Sequence, residues 1–315
     1  MRVLVTGATG FVGSHIAQRM VEVGYEVSVL MRSRVGWLKE VGKVEKIKGD
    51  LTQPHTLAAL SQRVFDVVVH AGGLTSAPEV QDYYRVNTLG TYNLIRALKR
   101  APQPLKLFVY ISSLAAAGPG EMSEGDPERP ITPYGESKLY AEFIVMDAGF
   151  PFLILRPPAI FGPRDSDVLR FFQLVKRGWL PSFSKRKRIS ILYVKNLVAA
   201  LEFLLEKGEK GTFFLSDGAY TWWDVGKMAA EILGVNLRAF PLHQGVLTPL
   251  AALSQFYRCL KGRAILLSKE KLRQMKEEAW ICKPQRLSTL GFSPPITLRA
   301  ALEETLEWYR DRRYL

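Results

Sequence analysis

The sequence predicts an α/β chain, a Rossmann-type doubly wound parallel sheet followed by a smaller, mostly helical substrate lobe. Three observations predict it. Short apolar runs alternate with amphipathic stretches through the first half. Three glycines, Gly7, Gly10 and Gly13, stand between the first apolar run and the first amphipathic stretch. The alternation stops after Arg156-Pro157-Pro158, where helical patterns take over. Strands that alternate with helices require right-handed crossovers, and hence parallel strands covered on both faces.

The elements follow in order. Apolar runs predict strands at residues 2–6, 26–31, 44–48, 66–70, 105–111 and 152–155. Amphipathic spacing predicts helices at 11–23, 54–62, 80–99 and 133–148. Residues 118–133 are rich in Gly, Pro and Glu and read as an exposed loop. Beyond Pro158, helices are expected at 166–177, 194–206, 221–233, 245–260, 268–276 and 298–310, with short strands at 188–193, 212–215 and 238–240. The expected division is a dinucleotide-binding domain at 1–156 and a substrate lobe at 157–315, some of whose elements pack back onto the first sheet.

Bulk properties narrow the function. The 315 residues suffice for a large core, and 47% hydrophobic with 23% charged residues is ordinary globular composition. No run of 18 apolar residues suggests a membrane span, and the first strand begins too early for a leader. Two cysteines, Cys259 and Cys282, fit a reducing cytoplasm, and four scattered histidines suggest no metal site. The net charge of +13 fits an anionic substrate or a solvated basic surface. No nucleic-acid-binding motif is present.

The glycines at the strand–helix junction let the backbone turn sharply and approach a pyrophosphate, which the helix N-terminus attracts. Thr9, Phe11 and Val12 complete that turn. The second strand ends at Met31-Arg32-Ser33-Arg34, without the carboxylate that accepts from the ribose 2′-OH of NAD. Arg32 can instead pair with a 2′-phosphate, so NADP is preferred over NAD. The small residues Ala71, Gly72 and Gly73 after the fourth strand permit close approach of the cofactor.

Tyr134 and Lys138 are four residues apart at the start of a helix, and so share a face. A phenol near pKa ~10 is a poor base at neutral pH. An ammonium at ~4 Å and an effective dielectric of ~20 favours the phenolate by about 4 kcal/mol. Lys138 would also hold the nicotinamide ribose hydroxyls. Tyr257 and Lys261 repeat the spacing far from any predicted strand end, and are read as chance. Ser112 and Ser113 close the fifth strand, where a hydroxyl can stabilise charge on a substrate oxygen.

The strings VTGATGFVG, SSLAAAGP and YGESKLYAE resemble the extended short-chain dehydrogenases/reductases, the NAD-dependent epimerase/dehydratase family. Within the family, SSLAAAGP and YGESKLYAE most resemble the dihydroflavonol-reductase/3β-hydroxysteroid-dehydrogenase-like branch. The resemblance implies that Ser113, five residues before Gly118, is the catalytic serine, with Ser112 as fallback. It also implies that Asn87 braces the site, that Asp50 and Leu51 hold the adenine, and that Pro157 and Ile160 line the nicotinamide. It implies a homodimer through the helices at 80–99 and 133–148. Two departures lie in the substrate lobe: Tyr193-Val194-Lys195-Asn196 replaces a usual His-Val-x-Asp, and Lys283 stands where relatives often carry Asp.

The expected activity is hydride transfer at a C–OH/C=O centre of a small molecule. The alternatives are a sugar-nucleotide epimerase or dehydratase with bound NAD, and a non-catalytic NADP-binding regulatory module. The basic run Phe183–Arg188 could hold an anionic substrate, and the apolar stretch 247–267 could serve a lipid-like one; the more ordinary readings are a solvated turn and a lid or pocket wall.

Overall fold

The computed structural model describes residues 1–181, 187–240, 277 and 279–315. Among these, seven strands form one parallel sheet: β1 (Arg2–Thr6), β2 (Glu26–Met31), β3 (Glu45–Lys48), β4 (Val67–His70), β5 (Leu107–Ile111), β7 (Phe152–Arg156) and β11 (Gly211–Phe214), in the order β11-β7-β5-β4-β1-β2-β3. The order reverses between β1 and β4, and ligands of such sheets bind in the crevice at that point. Thr6 aligns with His70, and His70 with Tyr110.

Each inner strand is apolar on both faces because both are covered. Val3, Val5, Val67, Val69 and Val109 point to one layer, with α1 (Phe11–Glu22) and α7 (Val194–Lys207) packed against them. Leu4, Val68, Phe108, Tyr110 and Ile154 point to the other. There a 3-10 helix (Pro54–Gln62), α3 (Gly90–Leu98) and α5 (Pro133–Met146) cover them. The expected helix at 80–99 is three segments: α2 (Val80–Tyr83), a π-helical turn (Tyr84–Leu89) and α3.

The second sheet runs β12-β10-β14-β6, from Ala219–Thr221, Arg188–Tyr193, Ala279–Lys283 and Gly120–Ser123, with β8 (Ala159–Phe161) also on β10. β6 corrects the expectation of a loop throughout 118–133. Its four residues lack apolar periodicity, and their strand form comes from pairing Gly120–Ser123 with Trp280–Lys283. Sequence patterning likewise missed β8, β12, β14 and β9 (Trp179–Pro181), which pairs with β13 (Arg238–Phe240). These are three to five residues long, too short to show a period. α6 (Asp167–Lys176), α8 (Trp222–Leu233) and α10 (Leu298–Asp311) enclose a separate core around Phe172, Tyr193 and Tyr309. The short α4 (Leu114–Ala117) and α9 (Gln285–Thr289) complete the described α-helices.

The helices expected at 245–260 and 268–276, the apolar stretch 247–267, the pair Tyr257/Lys261, and most of the basic run 183–188 lie outside the described residues. Among the described residues no helix is long and apolar enough to cross a membrane. No metal-ligating cluster occurs among them.

Candidate active site

The glycine turn after β1 is sterically tight. Gly7 has φ +73°, and a Cβ there would lie 2.6 Å from the Ala71 carbonyl oxygen. A Cβ at Gly13 would lie 2.4 Å from the Gly7 carbonyl oxygen, so α1 starts directly on the turn. Gly10 is the N-cap of α1 and supplies no capping side chain. The first-turn amides of Phe11, Val12 and Gly13 therefore remain available to an anion. Ala71, Gly72 and Gly73 face them across the crevice at the end of β4, where Gly72 N donates to Thr6 Oγ1 at 3.1 Å. This uncapped helix start, walled by small residues, fits a dinucleotide pyrophosphate.

The outer end of the crevice holds Arg32, Asp50 and Leu51. The Arg32 side chain is 76% exposed, with Nη1 4.0 Å from Asp50 Oδ2. Asp50 Oδ1 accepts from Thr52 N and Oγ1, each at 2.8 Å. Burial pushes the Asp50 carboxyl up, but those hydrogen bonds and the nearby Arg32 and Arg85 charges hold it below the usual carboxylate range. The Leu51 carbonyl accepts from Asn93 Nδ2 at 2.8 Å. The Thr9 carbonyl accepts from Trp37 N at 3.2 Å and so ties down the segment after β2.

At the inner end, Ser113 is the N-cap of α4, its Oγ accepting from Ala115 N at 3.1 Å. Thr132 caps α5, and Pro133 starts it. A Cβ at Gly135 would lie 2.2 Å from the Ala115 carbonyl oxygen, so α4 and α5 begin in direct contact. That approach sets Ser113, the N-cap of α4, beside the first turn of α5, which carries Tyr134. Burial raises the Tyr134 pKa, and the nearby Ser113 hydroxyl works against that rise. Lys138 is 5% exposed, and its Nζ donates to the Ile111 carbonyl at 2.7 Å. Burial brings the Lys138 pKa down to about 7, against the opposing charge of Glu142. Pro157 accepts from Leu114 N at 2.8 Å, and Ile160 packs between the two cores.

Comparison with known proteins agrees with this geometry. The model of the NAD dependent epimerase/dehydratase family matches residues 3–215. The chain belongs to that family. It is 30% identical to the ceramide reductase of Caulobacter vibrioides, over 99% of this chain and 96% of that one. It is 24% identical to a dTDP-D-glucose 4,6-dehydratase of Mus musculus, over 98% and 88%. The UDP-glucose 4-epimerase of Thermotoga maritima has the same fold, with a TM-score of 0.77 at 22% identity over 99% and 100% of the two chains. The protein is an NAD(P)-dependent enzyme of the extended short-chain dehydrogenase/reductase type.

Asn87 of this epimerase/dehydratase-family enzyme lies in the π-helical turn and is 1% exposed. Its Oδ1 accepts from Leu74 N (2.8 Å), and its Nδ2 donates to Leu74 O (3.1 Å) and Ser137 Oγ (2.9 Å). It thus holds the backbone after Gly73 against the helix that carries Tyr134 and Lys138. Ser112, the fallback serine, points elsewhere: its Oγ donates to Glu142 Oε1.

Glu142, Arg156 and His70 escaped sequence reasoning. Glu142 is fully buried and binds Arg156 through Nε and Nη2, while Arg156 Nη2 also reaches Glu128 at 2.8 Å. The available signal was Glu142 at a second four-residue step beyond Lys138, together with a lone arginine closing an apolar strand. In the second half of the chain, the departures at Tyr193–Asn196 have structural uses. Asp217 Oδ2 accepts from Tyr193 N at 2.6 Å at the start of α7, Asn196 bridges both backbone groups of Ile296, and Lys195 pairs with Glu304. Lys283 pairs with Glu121 at 3.0 Å.

Proposed function

We propose that this enzyme is an NADP-preferring carbonyl reductase, or alcohol dehydrogenase in reverse, acting on a lipid-like substrate through Tyr134, Ser113 and Lys138. The observation that carries the reading is the direct abutment of the first turns of α4 and α5, which sets Ser113 beside the turn that carries Tyr134 at the crevice mouth, with the buried Lys138 one turn further along α5. The bound cofactor supplies or accepts the hydride. Gly7, Gly10, Gly13, Thr9, Phe11, Val12, Ala71, Gly72 and Gly73 would hold its phosphates, Asp50 and Leu51 its adenine, and Pro157 and Ile160 its nicotinamide end. Ser113 donates a hydrogen bond to the substrate oxygen, and Tyr134 gives that oxygen its proton during reduction or removes it during oxidation. The Lys138 ammonium favours the Tyr134 phenolate left behind. Asn87 keeps α5 in register with the cofactor crevice.

NADP is favoured because the Arg32 guanidinium, largely exposed at the end of β2 and only 4.0 Å from Asp50 Oδ2, can turn to a 2′-phosphate, and β2 itself ends without a carboxylate. Asp50 lies one strand away and already has Thr52 as partner. The lipid-like substrate is supported by the likeness, over nearly the full length of both chains, to a ceramide reductase. The second reading, a sugar-nucleotide dehydratase or epimerase, is supported by the likeness to dTDP-D-glucose 4,6-dehydratase. Leu89, Tyr92, Tyr140 and Phe143 expose 46–55% of their surface on neighbouring helices, an apolar face that suits a homodimer. The location is proposed to be cytoplasmic.

The deciding experiment presents NADPH and long-chain ketones to wild-type and Tyr134→Phe enzyme and follows absorbance loss. Net oxidation of NADPH that Tyr134→Phe abolishes is the expected result. Conversion of a sugar nucleotide without net NADPH consumption selects the second reading. A Tyr134→Phe enzyme as active as wild type removes Tyr134 as the acid.

A further inference from the structure

We propose that Tyr110 is a positioning residue of this enzyme: its buried ring is the platform that holds the Lys138 side chain as an ammonium at the foot of the active site. Tyr110 lies in β5, fully buried, one residue before the carbonyl that Lys138 uses. Lys138 Nζ stands 4.2 Å from the Tyr110 ring centroid. That is well inside the ~6 Å within which a ring face attracts a cation, and the attraction strengthens where water is excluded. An ammonium has three N–H bonds and needs charge compensation on burial. The Ile111 carbonyl takes one of them. The ring supplies negative potential without a lone pair, and so compensates the charge without adding a second hydrogen-bond acceptor.

The neighbours of the pair fit this role. His70 pairs with Tyr110 in register, and their ring centroids are 5.4 Å apart. Its hydrogen bonds fix a neutral tautomer. Thr91 Oγ1 donates to the Asn87 carbonyl at 2.6 Å, so it accepts from His70 Nε2–H at 2.9 Å. His70 Nδ1 then carries no proton and accepts from Thr6 Oγ1 at 2.6 Å. Burial, together with the Lys138 charge, takes His70 down to about 3, so no second cation competes for the ring. The remaining titratable groups around Lys138 are Tyr134 and Glu142 on α5, and Glu142 is the carboxylate among them.

The proposal rests on Lys138 being the ammonium that serves Tyr134, but its test reads Lys138 directly and needs no substrate. Enzyme labelled with 13C-lysine is titrated by NMR without cofactor, the Lys138 Cε signal being the one lost in Lys138→Arg. Tyr110 is replaced site-specifically by phenylalanine, and then by phenylalanines carrying two, three and five fluorines, which drain the ring face while nearly keeping its shape. The expected result is a wild-type midpoint for Tyr110→Phe, and a midpoint that falls stepwise with fluorination by about one pH unit in all. A midpoint indifferent to fluorination overturns the proposal, as does a shift in Tyr110→Phe as large as the whole series. Activity retained in Tyr134→Phe would refute the catalytic reading and leave this titration unaffected.

Discussion

Replacing Glu142 by glutamine removes a charge that water cannot replace. The Glu142 side chain is 0% exposed and that of Arg156 6%. Arg156 Nε donates to both carboxylate oxygens, at 3.1 and 3.2 Å, and Nη2 donates to Oε2 at 2.5 Å. Ser112 adds a donor to Oε1. Every contact therefore presents a donor, and the glutamine amide brings a further donor to a site built for an acceptor. Breaking one half of a buried ion pair costs about 3–5 kcal/mol. Arg156 keeps its bond to the half-exposed Glu128, so the lower end, about 3 kcal/mol, is expected. For 315 residues, at ~2.1 cal/mol/K of unfolding entropy each, that lowers Tm by roughly 4–5 °C. Thermal unfolding by circular dichroism measures it, beside a Glu142→Leu/Arg156→Met double variant that removes both charges. The double variant should recover most of the loss, because neither side chain is left buried and unpaired. A Tm within about 1 °C of wild type for Glu142→Gln, or a double variant no more stable than the single one, refutes the reasoning.

Ser113→Ala should lower kcat by about 100-fold or more at nearly unchanged Tm, whereas Ser112→Ala should lower Tm and spare turnover; steady-state kinetics and melting curves separate the two. Gly13→Ala places a methyl 2.4 Å from the Gly7 carbonyl oxygen and should weaken NADPH at least about tenfold in a fluorescence titration; undiminished affinity would mean that the turn does not carry the phosphates. The Lys138 ammonium, whose pKa burial holds at about 7, is lost as pH rises through that value. A bound anion favours the ammonium and raises the midpoint, so NADPH binding at pH 8 should take up protons. Calorimetry in buffers of different ionisation enthalpy reads that uptake, which Lys138→Met should abolish.

The parallel sheet was legible because its strands are buried on both faces and flanked by amphipathic helices; Arg2–Thr6 and Glu26–Met31 match the expected bounds to the residue. The glycine turn and the Tyr134–Lys138 step were legible because each is local, set by backbone geometry within a few residues. Other features were not. The strands Gly120–Ser123 and Ala279–Lys283 lie over 150 residues apart in the chain and form only by pairing with each other and with β10. The partner of Ser112 was likewise tertiary. Adjacent residues of a strand point to opposite faces, and which face held Glu142 and which held Tyr134 depended on how α5 docked.

By itself, then, the amino-acid order determined the α/β class, the glycine turn after β1, the four-residue step from Tyr134 to Lys138 at the start of α5, and the absence of a carboxylate at the end of β2. Those features arise from patterns within a single element. Tertiary structure alone decided that Ser112 serves the Glu142–Arg156 pair, that His70 is locked neutral, and that Tyr110 lies under the Lys138 ammonium. Each of these joins residues from different strands and helices, and the energy of a buried charge or hydrogen bond depends on the partner and on the exclusion of water, which only the assembled core supplies.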